Sequence, residues 1–264
     1  MPFTIAHPAA VLPIHRLSGG GLPLSALVAG SLAPDFVYYA PFGVNGRFSH
    51  TAEGLLLFCL PAGVLAWFLF HALFRRPLAA LLPDRLFRRL PASVLDAGAW
   101  RRQPVAPVLA ALGLGALTHI VWDAVTHRHT VAAFGLEPLL TVIRPAGGSG
   151  LPLYKLLQHA SSAAGIALLL HAALAWMRRA PTVRGPGKSV PAGVKLLVAG
   201  TGIAFALASA ADNLAAAGSA GIEHRAVRAA VGATTGAGLS LLLYCMGWHA
   251  VHVARRFGWT RKMA

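Results

Sequence analysis

The stretch "PVAPVLAALGLGALTHIVWDAVTHRH" (residues 104–129) begins as an uncharged apolar run and ends in three histidines and an aspartate. Its apolar part approaches the roughly 20 residues that a membrane-spanning helix needs. On a helix, residues four apart share a face, about 6 Å apart along the axis. His119, Asp123 and His127 have that spacing twice over. The stretch therefore predicts a transmembrane helix that carries metal-ligand chemistry at one end.

The rest of the chain repeats the apolar half of that pattern. Of 264 residues, 56% are hydrophobic and 12% charged, about half the charged fraction of a soluble domain. Mean hydropathy is +0.62. Five segments are long and apolar enough to span, near 54–74, 105–124, 160–177, 192–211 and 231–253. Two shorter helices are expected at 8–16 and 23–33, separated by "SGGGLP". The expected fold is an all-α polytopic bundle. It reads as one membrane domain: an N-terminal segment (1–49), a set of site-bearing helices (50–177), a basic linker (178–195) and a C-terminal hairpin (196–264). The N-terminus lacks a basic stretch followed by a long apolar core, so no cleaved signal peptide is expected. Cys59 and Cys245 both lie inside apolar runs and imply no disulfide framework.

A net charge of +15 would suggest nucleic acid in a soluble protein. Here the basic residues sit between apolar runs, and the expectation is a topology signal with no nucleic-acid partner. Arg75, Arg76, Arg85, Arg88, Arg89, Arg101 and Arg102 fall in one loop. Arg178, Arg179, Arg184, Lys188 and Lys195 fall in another, and Arg255, Arg256, Arg261 and Lys262 in the tail. In a five-helix arrangement these sixteen of 23 basic residues share one side, which the positive-inside rule makes cytoplasmic. The C-terminus is then cytoplasmic, and the N-terminal segment faces out.

The awkward polar residues fall on that outer face. His50 precedes the first span, His119, Asp123 and His127 run through the end of the second, and His159 opens the third. His7, His15 and Asp35 lie in the N-terminal segment. One histidine at a helix end is ordinarily an interfacial or hydrogen-bonded residue, and Asp35 after Pro34 has the sequence of a turn. Several from separate spans on one face point to a metal, because ionisable groups at the ends of apolar runs are costly to bury. Imidazole and carboxylate together suit zinc or a similar first-row metal, and Asp123 is placed to bridge two ions. His71, His249 and His252 lie at the opposite ends of their spans, and His171 is far along its helix from His159; these are left out of the set.

The segments "MPFTIAHPAAVLPIHR", "LPLSALVAGSLAPDF", "FSHTAEG" and "THIVWDAVTH" resemble a bacterial membrane family, the domain-of-unknown-function family numbered 4184. Their order also resembles YdjM-type inner-membrane metal-dependent hydrolases. More distantly it is similar to the zinc-dependent phospholipase C and nuclease superfamily, all-helical enzymes that cleave phosphate esters. The resemblance implies that Asp35, His50, His119 and Asp123 hold one zinc, with Asp123 bridging to a second ion held by His7 or His15. It implies a third ion on His127 and His159, but the glutamate that follows one turn later in the soluble enzymes is Ala163 here. A site of two or three zinc ions is expected. Ligation by the first residue, seen in secreted phospholipases, is not carried over to Met1.

Such a site polarises a phosphoryl oxygen and activates a water near neutral pH. At the membrane surface it would act on a membrane lipid or a lipid-linked phosphate. Arg128, beside His127, is expected to bind phosphate oxygens; Arg47, Arg144 and Lys155 lie on the same side. Glu53, one turn after His50, is the candidate general base or partner of a ligand. Two rival readings stand beside this one: an enzyme acting on a prenyl diphosphate, and a membrane metal-binding or transport module. The first normally needs carboxylate-rich magnesium motifs, and the chain has eight acids in all. The second would want polar groups continuing through the bilayer. Substrate headgroup and oligomeric state are not encoded in any motif.

Overall fold

A computed structural model describes residues 4–39, 43–144, 150–182 and 189–256. Met1 and, from the basic set, Arg184, Lys188, Arg261 and Lys262 lie outside the described residues. The architecture is all-α, with seven principal helices: α1 (Pro8–Leu17), α2 (Leu24–Leu32), α3 (Ala52–Leu81), α4 (Val105–Thr126), α5 (Leu153–Arg179), α6 (Ala192–Ala216) and α7 (Ile222–Arg256). The last five are long and apolar enough to cross a membrane, which marks an integral membrane protein. Extended structure among the described residues is a two-residue ladder pairing Val142–Ile143 with Leu151–Pro152.

The spans lie where the apolar runs place them but are longer. Helix α3 continues past Arg75 and Arg76, which the hydropathy pattern assigns to a loop. Arg75 is buried, and its guanidinium donates to the Ser93 and Asp96 carbonyls instead of reaching water. Helix α5 begins at Leu153, so His159 lies well inside it rather than at its start.

The chain gathers into two compact units. The first comprises residues 1–68 and 103–179. Between α1 and α2 the chain turns through Gly19 and Gly20, both at positive φ (59° and 83°), where other residues are strained. The turn lays α2 beside α4. There Gly30 faces the Leu112 carbonyl and Gly115 faces the Leu27 carbonyl so closely that a Cβ on either glycine would collide with backbone. Val11, Ala26, Leu27, Val108, Ala111 and Leu112 form the core at this crossing. Ala33, Phe58, Cys59 and Ala116 form a second core next to it. After an α-helical start at Ala52–Gly54, helix α3 passes through a π turn, Leu55–Cys59, just ahead of Pro61, which has no N–H to return to the preceding turn.

The second unit comprises residues 69–102 and 180–264. Helices α6 and α7 form a close antiparallel hairpin, with Gly232 against the Ser209 carbonyl and Gly236 against the Phe205 carbonyl. Small residues four apart let apolar helices approach without a hydrophobic driving force between them. Pro77 in α3 leaves the Leu73 carbonyl without its usual donor, and His249 Nε2 lies 3.0 Å from that oxygen. His252 Nδ1 donates to the Trp248 carbonyl at 2.8 Å. The His249/His252 pair thus serves the helix backbone.

Candidate metal centre

The crossing of α2 and α4 sets the site. Asp35 follows α2 directly, in the 3₁₀ turn Ala33–Tyr38, and His119 lies one turn beyond Gly115. Because Gly30 and Gly115 bring the two backbones together, Asp35 and His119 meet while both are buried. His50 caps the short helix Gly46–Ser49 ahead of α3 and reaches the same point.

Four residues converge there. Asp35, His50, His119 and Asp123 each offer one ligand atom, all within 4.8 Å of one another. His50 Nε2 is 3.3 Å from His119 Nε2 and 3.2 Å from Asp123 Oδ2. His119 Nε2 is 3.5 Å from Asp123 Oδ2 and 3.6 Å from Asp35 Oδ1, and His50 Nε2 is 3.8 Å from Asp35 Oδ1. Donors around a tetrahedral zinc with bonds of about 2.0–2.1 Å stand about 3.4 Å apart. The donor set therefore fits a single ion of that size.

The protons on the two imidazoles sharpen the point. His119 Nδ1 lies 2.7 Å from the Ser31 carbonyl, and His50 Nδ1 lies 2.7 Å from the Gly46 carbonyl. A carbonyl only accepts, so each neutral ring spends its single N–H there. Each Nε2 then turns a lone pair toward the other and toward two carboxylates. Four acceptors facing one another need a cation among them. A proton on one ring or a metal ion among the four supplies it. Backbone carbonyls that fix the tautomer are also the usual outer partners of metal-bound histidines.

Two more of the expected residues flank Asp123. His7, fully buried ahead of α1, stacks on His119 with ring centroids 3.6 Å apart and planes 12° apart. Its Nε2 lies 3.5 Å from Asp123 Oδ1. Neither His7 nitrogen nor Asp123 Oδ1 makes a hydrogen bond. Burial, reinforced by the neighbouring His119, pushes the His7 pKa down to about 3, so the ring is neutral at physiological pH. His127 Nδ1 is 3.5 Å from Asp123 Oδ2, and its Nε2 is 3.5 Å from the Gln158 amide nitrogen. Burial lowers the His127 pKa as well. Asp123 thus touches His7 through one oxygen and His50, His119 and His127 through the other.

The remaining expected residues stand apart from the cluster. His15 Nδ1 donates to the Leu22 carbonyl at 2.9 Å and ties down the α1–α2 turn. His159 is exposed on α5; the residue before it, Gln158, is the one that faces inward. Glu53 is exposed in the first turn of α3, where Thr51 caps the helix through the Gly54 amide. Arg128 is exposed at the start of the short helix Arg128–Ala133.

Sequence reasoning missed three neighbours. Thr4 Oγ1 donates to Asp35 Oδ2 at 2.6 Å, and nothing in the sequence marks it. Trp122 lies 5.1 Å from His7 and donates from Nε1 to Ser161. Gln158 had a signal: with Ser162 and Gly165 it forms the buried face of α5, small or polar residues at helical spacing in a leucine-rich span.

A family model described as a domain of unknown function, DUF4184, matches residues 1–246. The chain belongs to the DUF4184 family. The match covers all of the residues that converge on Asp123, so the cluster is part of the DUF4184 region. No curated protein and no solved structure matches this DUF4184 chain.

Proposed function

We propose that this DUF4184 protein is a membrane-embedded metal-dependent hydrolase that cleaves a phosphate ester of a lipid or lipid-linked substrate. The reading places a two-zinc site at the outer face of the cytoplasmic membrane. One ion is held by Asp35, His50, His119 and Asp123; the second is held by His7 and Asp123. The observation that carries it is the buried donor set around Asp123, in which His50 and His119 have committed Nδ1 and the His7 nitrogens and Asp123 Oδ1 have no hydrogen-bond partner.

Zinc held there supplies Lewis acidity to a phosphoryl oxygen and activates a water at neutral pH. The chain's own residues supply the rest. Thr4 holds Asp35 with one oxygen turned inward. Burial lowers the His129 pKa and the Arg47 charge lowers it further, so Arg47 lies near His129. On this reading the exposed Arg47 and Arg128 take phosphate oxygens, and Glu53, which is exposed and stands apart from the cluster, accepts a proton through an intervening water. The cluster sits at the end of α4 and just before α3, the level at which a lipid headgroup meets water. The resemblance to YdjM-type hydrolases and zinc phospholipases supports the same reaction class.

Metal analysis of the purified chain tests the reading. About two zinc ions per chain are expected in the wild type and none in Asp123→Ala. Phospholipids and prenyl phosphates assayed with and without chelator should then show metal-dependent release of phosphate or headgroup. Absence of bound metal, or stoichiometric metal with no turnover of any phosphate ester, overturns it.

A further inference from the structure

The second unit contains a cavity of about 1140 Å³. Its wall comes from the end of α3 and the stretch that follows, from the start of α6, and from the last turns of α7. Three helices long and apolar enough to span thus begin or end at this cavity. In a bilayer that level is the headgroup region.

The cavity has the chemistry of an amphiphile site. Arg76, Arg88 and Arg255 line it, against a single lining carboxylate, Asp96. That carboxylate is already matched: Oδ2 lies 2.6 Å from Arg102 Nη2, and Oδ1 accepts the Gly98 amide at 2.8 Å. The lining therefore carries an excess of positive charge. Between the arginines the wall is apolar, with Phe87, Leu90, Leu95, Val194 and Val251. The Arg76 guanidinium lies over the Trp248 ring at 5.3 Å, and Trp248 stacks on His252 at 3.7 Å. Such an aromatic, apolar on its face and polar at its edge, suits the membrane surface. The volume exceeds the roughly 300–1,000 Å³ of a drug-sized pocket. A phosphate ion alone would leave most of the apolar wall uncovered, and a neutral lipid would bring no negative charge to Arg76 and Arg255, whereas Arg88 also lies near the Asp84 carboxylate.

We infer that this cavity binds one anionic phospholipid, its phosphate against Arg76, Arg88 and Arg255 and its glycerol and upper acyl chain against Phe87, Leu95 and Val251. The inference is independent of the hydrolase reading, since it uses no residue of the metal centre.

Native mass spectrometry of the full chain, released from detergent and titrated with phosphatidylglycerol or phosphatidylcholine of identical acyl chains, tests it. The wild type should retain one phosphatidylglycerol about tenfold or more tightly than phosphatidylcholine. The triple variant Arg76→Gln, Arg88→Gln, Arg255→Gln should lose that preference, with phosphatidylglycerol weakened on the order of a hundredfold. The thermal unfolding profile of that variant in detergent should match the wild type's, which separates a lost lipid site from a lost fold. The corresponding triple lysine variant should keep much of the preference, because it keeps the charge. Equal retention of the two lipids by the wild type overturns the inference whether or not the variants fold. So does unchanged phosphatidylglycerol binding in a folded glutamine variant. Displacement of phosphatidylglycerol by millimolar inorganic phosphate would also overturn it, by making the cavity a small-anion site.

Discussion

The Thr4 hydroxyl donates to Asp35 Oδ2 at 2.6 Å, which leaves Asp35 Oδ1 directed at the Nε2 atoms of His50 and His119. Both partners are buried, so the bond fixes the carboxylate's rotation in a place where water cannot substitute. Outer partners of this kind are typically worth ten- to a hundredfold in metal affinity. Thr4→Val should weaken metal retention against a competing chelator by about tenfold or more, and Thr4→Ser should restore it.

Asp123 and His7 divide the site differently. Among the described residues, His7 meets the cluster at Asp123 and the His119 ring, and His127 meets it at Asp123. Asp123→Asn should therefore abolish binding of both ions. His7→Ala should remove one and keep the other, halving the zinc-to-protein ratio measured by elemental analysis. Equal loss in the two variants would show a single ion.

The contact between α2 and α4 should be intolerant of one methyl group. Gly30→Ala would drive a Cβ into the Leu112 carbonyl, and Gly115→Ala would drive one into the Leu27 carbonyl. Overpacking of this sort costs about 1–3 kcal/mol. Thermal unfolding in detergent should register that loss. Metal affinity should fall in parallel, because Asp35 and His119 are displaced together with the helices that carry them.

His249→Phe removes the donor that stands in for the missing Pro77 N–H. The Leu73 carbonyl is partly buried, so leaving it unpaired costs at most about 1–3 kcal/mol. The variant should unfold at a lower temperature than the wild type with its metal content intact, whereas a ligand role for His249 would lower both.

Hydropathy alone located all five spans, because a run of apolar side chains is a property of each segment taken singly. The four-residue spacing of His119 and Asp123, with His50 at the foot of α3, likewise located most of the centre. What it could not resolve was direction within a helix turn. His159 and Gln158 are adjacent in sequence, yet one faces outward and the other faces His127, because the start of α5 at Leu153 fixes the angle. The choice between His7 and His15 depended on how α1 packs. His7 lies under the His119 ring, while His15, two turns on, is drawn to the Leu22 carbonyl by the glycine turn. Thr4 was invisible for a simpler reason: its role comes from a contact 31 residues away in sequence.

The π turn at Leu55–Cys59 winds one residue more than an α turn over the same arc. Deleting a single residue there would let the rod relax to ordinary winding and keep everything downstream on its present bearing. The same deletion two turns later would swivel the remainder by about 100° and aim its side chains at the wrong neighbours. Length changes in this helix should therefore be forgiven at this bulge and at the second π turn, Phe70–Phe74, and penalised in the α-helical turns between them.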